Sequence, residues 1–188
     1  QASCETAFRY AIVEMLDSAR RTPLNDRPVP TQRPLTPSSA LSLLAPGQRV
    51  FVHAGPSECM AFVEAIKADP ERARGVDFVG VFIPGVNTTD YSVLAPEARV
   101  TSTFVTPSLA ESFAAGRVSF LPKSYSGFAR WLAANPLDVA VLRVAPPDAD
   151  GRMSFGINQD YAPIAARHAR RVIAFVDHAM PGVAGEPG

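Results

Sequence analysis

The chain has 188 residues, 47% apolar and 19% charged, the balance of a globular protein long enough for one substantial core. Eighteen basic residues offset eighteen acidic ones, so the charge offers no footprint for nucleic acid or an anionic membrane, and neither partner is expected. Cys4 and Cys59 show no metal spacing, no apolar run approaches the roughly 20 residues that span a bilayer, and no basic-then-apolar leader opens the sequence; a cytoplasmic protein with free thiols and no metal is expected.

Phe8, Ala11, Ile12, Met15, Leu16 and Ala19 fall at i, i+3, i+4, i+7 spacing, and this predicts an amphipathic helix over Glu5 to Arg20. Pro23, Pro28, Pro30, Pro34 and Pro37 mark an extended connection after it, since each proline fixes φ and lacks a donor. Residues 1–35 therefore read as a helical arm and residues 36–188 as the compact α/β domain.

Thr36-Pro37 is a cap followed by proline at the first helical position, opening a helix to Leu44. Arg49 to His53 reads as a strand, followed by Gly55-Pro56-Ser57 and a helix carrying Met60, Phe62, Val63 and Ile66. Val76 to Ile83 is a second strand, with the polar loop Asn87-Thr88-Thr89 beyond it. Arg99 to Phe104 is a strand, Thr106-Pro107 caps a helix ending at Gly116, and Val118 to Leu121 is a short strand. A helix with Phe128, Trp131 and Leu132 follows, the aromatic pair reading as a packing stripe. Val139 to Val144 is a continuous apolar run with the length and branching of a buried strand. After Pro146-Pro147, Asp148, Asp150 and Gly151 supply turn chemistry before Ser154-Phe155-Gly156. Asp160 to Arg170 is a helix with Pro163 in its first turn, and Arg171 to Val176 the last strand. Strands alternating with helices predict a mostly parallel sheet covered by helices on both faces.

These segments resemble, in order, the acetyl-CoA hydrolase/transferase branch of the coenzyme A transferases, which includes the 4-hydroxybutyrate CoA-transferases. The resemblance rests on Pro46, Gly47 and Val50, on Phe104 to Gly116 with Leu121-Pro122, on Asp138-Val-Ala, Pro147-Asp148, Gly151 and Ser154-x-Gly156, and on Ala169 to Ile173 with Met180-Pro181. It covers about Thr36 to Gly185, the N-terminal half of a two-half architecture. It implies a coenzyme A thioester as substrate, a carboxylate acceptor, no tightly bound cofactor, a homo-oligomeric assembly, and a C-terminal half supplied by the same gene or by a separate subunit. In the family that other half carries the nucleophilic glutamate and the glycine-rich oxyanion region, so no catalytic residue is expected here. The sequence departs from the family at Asp177, where asparagine is usual, and at Ala110-Glu111, where a basic residue is common.

Ligands in open α/β sheets bind beyond the carboxyl ends of the strands. Gly55, Ser57, Asn87 and Thr88 all follow predicted strands, and Ser154 joins them if the Asp148–Gly151 turn folds the chain back. These five are the expected substrate-binding residues, with Ser57 and Thr88 sharing one cleft. Asp148 and Asp150 read as turn formers, and His53 as a satisfied core or edge histidine. Two other classes stay open. A non-catalytic assembly subunit or pseudoenzyme would use the same fold, and a serine hydrolase would use Ser57 in the incomplete elbow Gly55-Pro56-Ser57-Glu58-Cys59, with Asp160 and His168 or His178 as partners.

Overall fold

A computed structural model describes residues 8–15, 33–149 and 151–183. One eight-stranded sheet organises them. Its strands are β1 (Phe8–Met15), β2 (Arg33–Leu35), β3 (Arg49–Val52), β4 (Asp77–Gly80), β5 (Arg99–Ser102), β6 (Val118–Phe120), β7 (Leu137–Val144) and β8 (Ala169–Asp177), in the order β2-β1-β8-β7-β3-β4-β5-β6. The six strands from β8 to β6 are mutually parallel, as the βα alternation predicts.

The helices are α1 (Pro37–Leu41), α2 (Met60–Ala68), α3 (Ala110–Ala114), α4 (Tyr125–Ala134) and α5 (Ala162–His168). Thr36 caps α1 through its side-chain oxygen, and Pro37 opens it. Ser124 caps α4 by accepting from the Gly127 N–H. Pro163 sits in the first turn of α5, where its missing N–H costs nothing. Several expected strands are shorter than their apolar runs. β4 stops at Gly80 and β5 at Ser102, after which both chains turn out of the sheet.

The expected N-terminal helix is corrected. Residues 8–15 form β1, antiparallel to β8, with Ala11 opposite Phe175, Ile12 opposite Ala174 and Val13 opposite Ile173. The remainder of the expected helix, and the connection through residue 32, lie outside the described residues. Two facts explain the error. Phe8, Tyr10, Ile12 and Val13 are residue types that favour extended backbone as much as a helical face. The long strand β8 also offers a row of backbone donors and acceptors along its outer edge, and pairing there outweighs a modest helical period.

Two apolar layers cover the sheet. On one face Val50 and Val52 of β3 pack with Phe62, Val63 and Ile66 of α2 and with Leu41 of α1. On the other, Phe51 and Leu142 pack with Phe128 and Leu132 of α4 and Ala162 and Ala165 of α5. Strand alternation assigns the faces, since successive side chains of β3 point opposite ways. Trp131 is half-buried, stacked on Phe128 and covered by the Arg49 guanidinium, 5.4 Å from its ring centre, so the packing reading of this stripe is correct.

The strand order reverses at β3. From there the chain moves outward through β4, β5 and β6, then returns to place β7 on the other side of β3. In parallel sheets such a reversal opens a crevice between the two loops that leave it in opposite directions. Those loops are residues 53–59 and 145–161.

Candidate functional site at the carboxyl edge of the sheet

The loop after β3 begins with Gly55 at φ +61, a left-handed conformation that glycine adopts without strain. A side chain there would also crowd Asn158 Nδ2 at 3.1 Å. Gly55–Ser57 forms a single 3-10 turn, and Ser57 is fully buried. Asn87, from the loop after β4, reaches this turn. Its Oδ1 accepts from the N–H groups of Gly55 and Ile83, each at 2.9 Å. Its Nδ2 donates to Gly55 O at 3.2 Å and to Glu58 Oε2 at 2.9 Å. All four hydrogen-bonding positions of this amide are therefore used in tying two loops together.

The loop after β7 folds back as anticipated. Asp148 accepts from Arg152 N and Gly151 N and so forms the turn it was read to form, while Asp150 lies outside the described residues. Ala145 N donates to Ser154 O at 2.8 Å, which sets Ser154 beside the end of β7. The Ser154 hydroxyl accepts from Gly156 N at 3.0 Å and Val183 N at 3.1 Å and donates to Val183 O at 3.2 Å. Gly156, at φ +65, has no room for a side chain, because a Cβ would overlap Met180. Asn158 Nδ2 then donates to Ala54 O at 3.1 Å and closes the loop onto the β3 turn.

The structure thus brings Gly55, Ser57 and Asn87 into direct association, with Ser154 at the neighbouring strand end. Thr88 lies exposed on the same edge, next to buried Asn87. Arg143, near the end of β7, links the groups from the other side. Its Nη1 donates to Pro56 O at 3.2 Å, and its Nε donates at 2.9 Å to Asp177 Oδ2, which Nη2 also binds. Asp177 is fully buried, so an aspartate stands at this family position with a cation in place to neutralise it.

Sequence reasoning missed four members of this site: His53, Glu58, Arg143 and Asn158. His53 is 2% exposed, as a core or edge histidine should be; its ring nitrogens have no close, well-aligned partner among the described residues, and the backbone of Asn158 and Arg143 lies within reach of the ring. Burial pushes the imidazole down to about 4; the Asp160 carboxylate and the nearby backbone of Asn158 and Arg143 draw it partly back up, and the Arg143 charge lowers it slightly. Ser57 Oγ is buried without a close partner among the described residues, and the Glu58 carboxylate lies against the Tyr91 hydroxyl. Cys59, beside them, is an inert thiol that burial pushes up to about 12. Burial, and then Glu58, raise the Tyr91 hydroxyl well above its usual range. The one signal in the sequence was position, since a polar residue directly follows the apolar run of β3.

The elbow reading of Ser57 finds no geometry. His168 ends α5, immediately before β8, and so lies at the amino edge of the sheet, opposite Ser57. His53 is four residues away in the chain, yet no histidine nitrogen is within hydrogen-bond reach of Ser57 Oγ among the described residues. No cluster of three or more metal-ligating side chains occurs among the described residues, and no helix there is long and apolar enough to cross a membrane. An open depression of about 570 Å³ lies at the amino edge, lined by Pro46, Gly47, Gly75, Glu97, Arg99 and Arg117. Its arginines hold the fold, Arg99 binding Gly116 O and Arg117 binding Ser112 Oγ, each at 2.9 Å.

A pH dependence follows from His53. The folded state holds it neutral down to about pH 4, whereas an unfolded histidine titrates near 6.5. Its contribution is therefore fully present above pH 6.5 and is lost as pH falls toward 4. The difference corresponds to about 3 kcal/mol over the whole window. Urea unfolding at pH 7.5 and pH 4.5 should show wild type losing about 2 to 3 kcal/mol more than His53→Leu. Equal losses in the two proteins would remove His53 from the acid limb.

Comparison with known proteins agrees with this architecture. The chain is 28% identical over 155 residues to the 4-hydroxybutyrate coenzyme A transferase of Clostridium kluyveri, covering 81% of this chain and 36% of that protein. RipA from Yersinia pestis superposes with a TM-score of 0.70 at 26% identity, covering 81% of this chain and 38% of RipA. The decarboxylase AibA/AibB shares the fold at 15% identity and a TM-score of 0.58, with 82% of this chain and 76% of that chain covered. The chain thus spans little more than a third of the first two relatives and most of the third. The model of the acetyl-CoA hydrolase/transferase N-terminal domain matches residues 27–187, and the chain belongs to that family.

Proposed function

We propose that this chain provides the substrate-binding N-terminal half of an acyl-CoA transferase or hydrolase. The complete enzyme moves CoA between an acyl-CoA and a carboxylate, or releases it to water. The observation that carries this reading is the convergence of loops at the β3/β7 reversal, in a chain belonging to this family. Gly55, Ser57, Asn87, Thr88 and Ser154 form or support the wall facing the acyl or carboxylate end of the substrate. Asn87 and Ser154 do so by fixing loop shape, because their polar atoms are engaged within the protein. Coenzyme A enters as substrate, not as a resident cofactor.

The family resemblance assigns the nucleophilic glutamate to the other half. Attack of a carboxylate on a thioester divides one acyl transfer into two easier displacements, and backbone donors stabilise the oxyanion. The partner is that half, as a continuation of the same protein or a separate subunit, in an oligomeric cytoplasmic enzyme.

Acetyl-CoA and a panel of labelled carboxylates provide the test, with CoA exchange followed by mass spectrometry. The chain alone is expected to give no turnover, and adding a glutamate-bearing half should restore it. Turnover that survives rigorous purification of the chain alone contradicts the half-enzyme reading. Assembly with the second half but no turnover would favour the non-catalytic assembly role.

A further inference from the structure

Three consecutive carbonyls in the turn after β3 are each held by a side chain from a different segment. Asn158 Nδ2 donates to Ala54 O at 3.1 Å, Asn87 Nδ2 to Gly55 O at 3.2 Å, and Arg143 Nη1 to Pro56 O at 3.2 Å. The donors come from the loop after β7, the loop after β4 and the end of β7 itself. The turn has little of its own to keep this shape. Its two internal bonds, Ser57 N to Ala54 O and Glu58 N to Gly55 O, are long at 3.3 Å each, and no side chain caps it. Gly55, at φ +61, adds backbone freedom that must be lost when the turn orders. The donors are themselves fixed: Arg143 by buried Asp177, Asn87 by the Ile83 N–H and the Glu58 carboxylate, and Asn158 by burial.

The same bonds decide what the wall shows. In each of the three loops a polar residue is buried while its chain neighbour is exposed: Ser57 inside with Pro56 outside, Asn87 with Val86, Asn158 with Ile157. This inverts the usual placing of polar and apolar side chains on a surface loop. We propose that Asn87, Arg143 and Asn158 are positioning residues that clamp the turn at residues 54–57 in its binding shape before substrate arrives. The acyl end then meets a preformed wall. This rests on the acyl-CoA reading of the same site and goes beyond it, because it assigns affinity for the acyl end to three residues that do not touch substrate. A site whose competent shape is populated only part of the time binds with affinity reduced by that fraction. Loosening the turn therefore weakens binding of the acyl end and leaves the number of sites unchanged. A folding defect does the reverse, lowering the number of competent sites at unchanged affinity.

Two variants each remove one clamping bond and leave no buried charge unpaired. Arg143→Lys keeps a cation for Asp177 but lacks the fork that also reaches Pro56 O, and Asn158→Leu keeps the volume of the asparagine without its donor. Calorimetry on the chain assembled with a glutamate-bearing half would use S-acetonyl-CoA, a ketone analogue that cannot transfer its acyl group, beside free CoA. Each variant is expected to bind the analogue about 10-fold more weakly, as for a turn that is competent one tenth of the time. Stoichiometry and the affinity for free CoA should not change. Hydrogen–deuterium exchange of the unliganded assembly gives a readout independent of binding: residues 55–58 should exchange faster in both variants, and β3 and β7 should not. Unchanged exchange in that turn, an affinity for the analogue that does not fall, a fall in stoichiometry alone, or an equal weakening of free CoA would overturn the clamp. Wild type that binds neither the analogue nor CoA would overturn the acyl-CoA reading, and this proposal with it.

Discussion

Phe62→Ala is expected to destabilise the protein by about 3–5 kcal/mol, the usual range for deleting a buried aromatic ring. Phe62 is fully buried in the first turn of α2. It meets Phe175 of β8 edge-on at 5.9 Å and Phe78 of β4 at 6.4 Å, so it joins strands from both sides of the sheet reversal. The cavity left by alanine would be bounded by three elements that cannot all collapse into it. Denaturant unfolding would measure the loss, and the midpoint should shift with little change in slope. A cost below about 1 kcal/mol would show that α2 is not the packing centre of this face.

Arg143→Met should cost a similar amount, about 3–5 kcal/mol, for a different reason. The substitution leaves Asp177 fully buried without its cation and frees Pro56 O. Breaking a buried pair from one side is far more damaging than replacing both partners with apolar groups. The double variant Arg143→Met/Asp177→Leu should therefore recover much of the stability lost in the single variant. Additive losses in the double variant would contradict the pairing as the source of the effect.

The parallel architecture was legible because its signals are local and repeated. The apolar runs of β3, β7 and β8, the Thr36-Pro37 and Ser124 starts, and the turn at Asp148 each specify their own element. The helical reading of residues 8–15 failed because the deciding partner, β8, lies about 160 residues away and is invisible to a local period. Within the site, Gly55, Ser57 and Asn87 could be placed by topology alone, since each follows a strand. Whether each one faces a ligand could not. Asn87 looks like an available amide in sequence, but Gly55, Ile83 and Glu58 use all of its capacity. His53 reads as core from its position after β3, but its ring environment, Phe155 with the backbone of Asn158 and Arg143, comes from the far end of the chain. Long-range polar pairing leaves no periodic trace, which is also why the Arg143–Asp177 pair went unread.

The central claim is that substrate binds at the carboxyl edge, at the β3/β7 reversal, and not in the depression at the amino edge. Hydrogen–deuterium exchange of the chain, assembled with a glutamate-bearing half, would test it with and without saturating acetyl-CoA. Slowed exchange is expected in residues 53–59, 83–89 and 152–160, the three loops joined by Asn87 and Asn158. Slowed exchange confined to residues 46–47, 97–99 and 115–117, which line the opposite depression, would contradict the account.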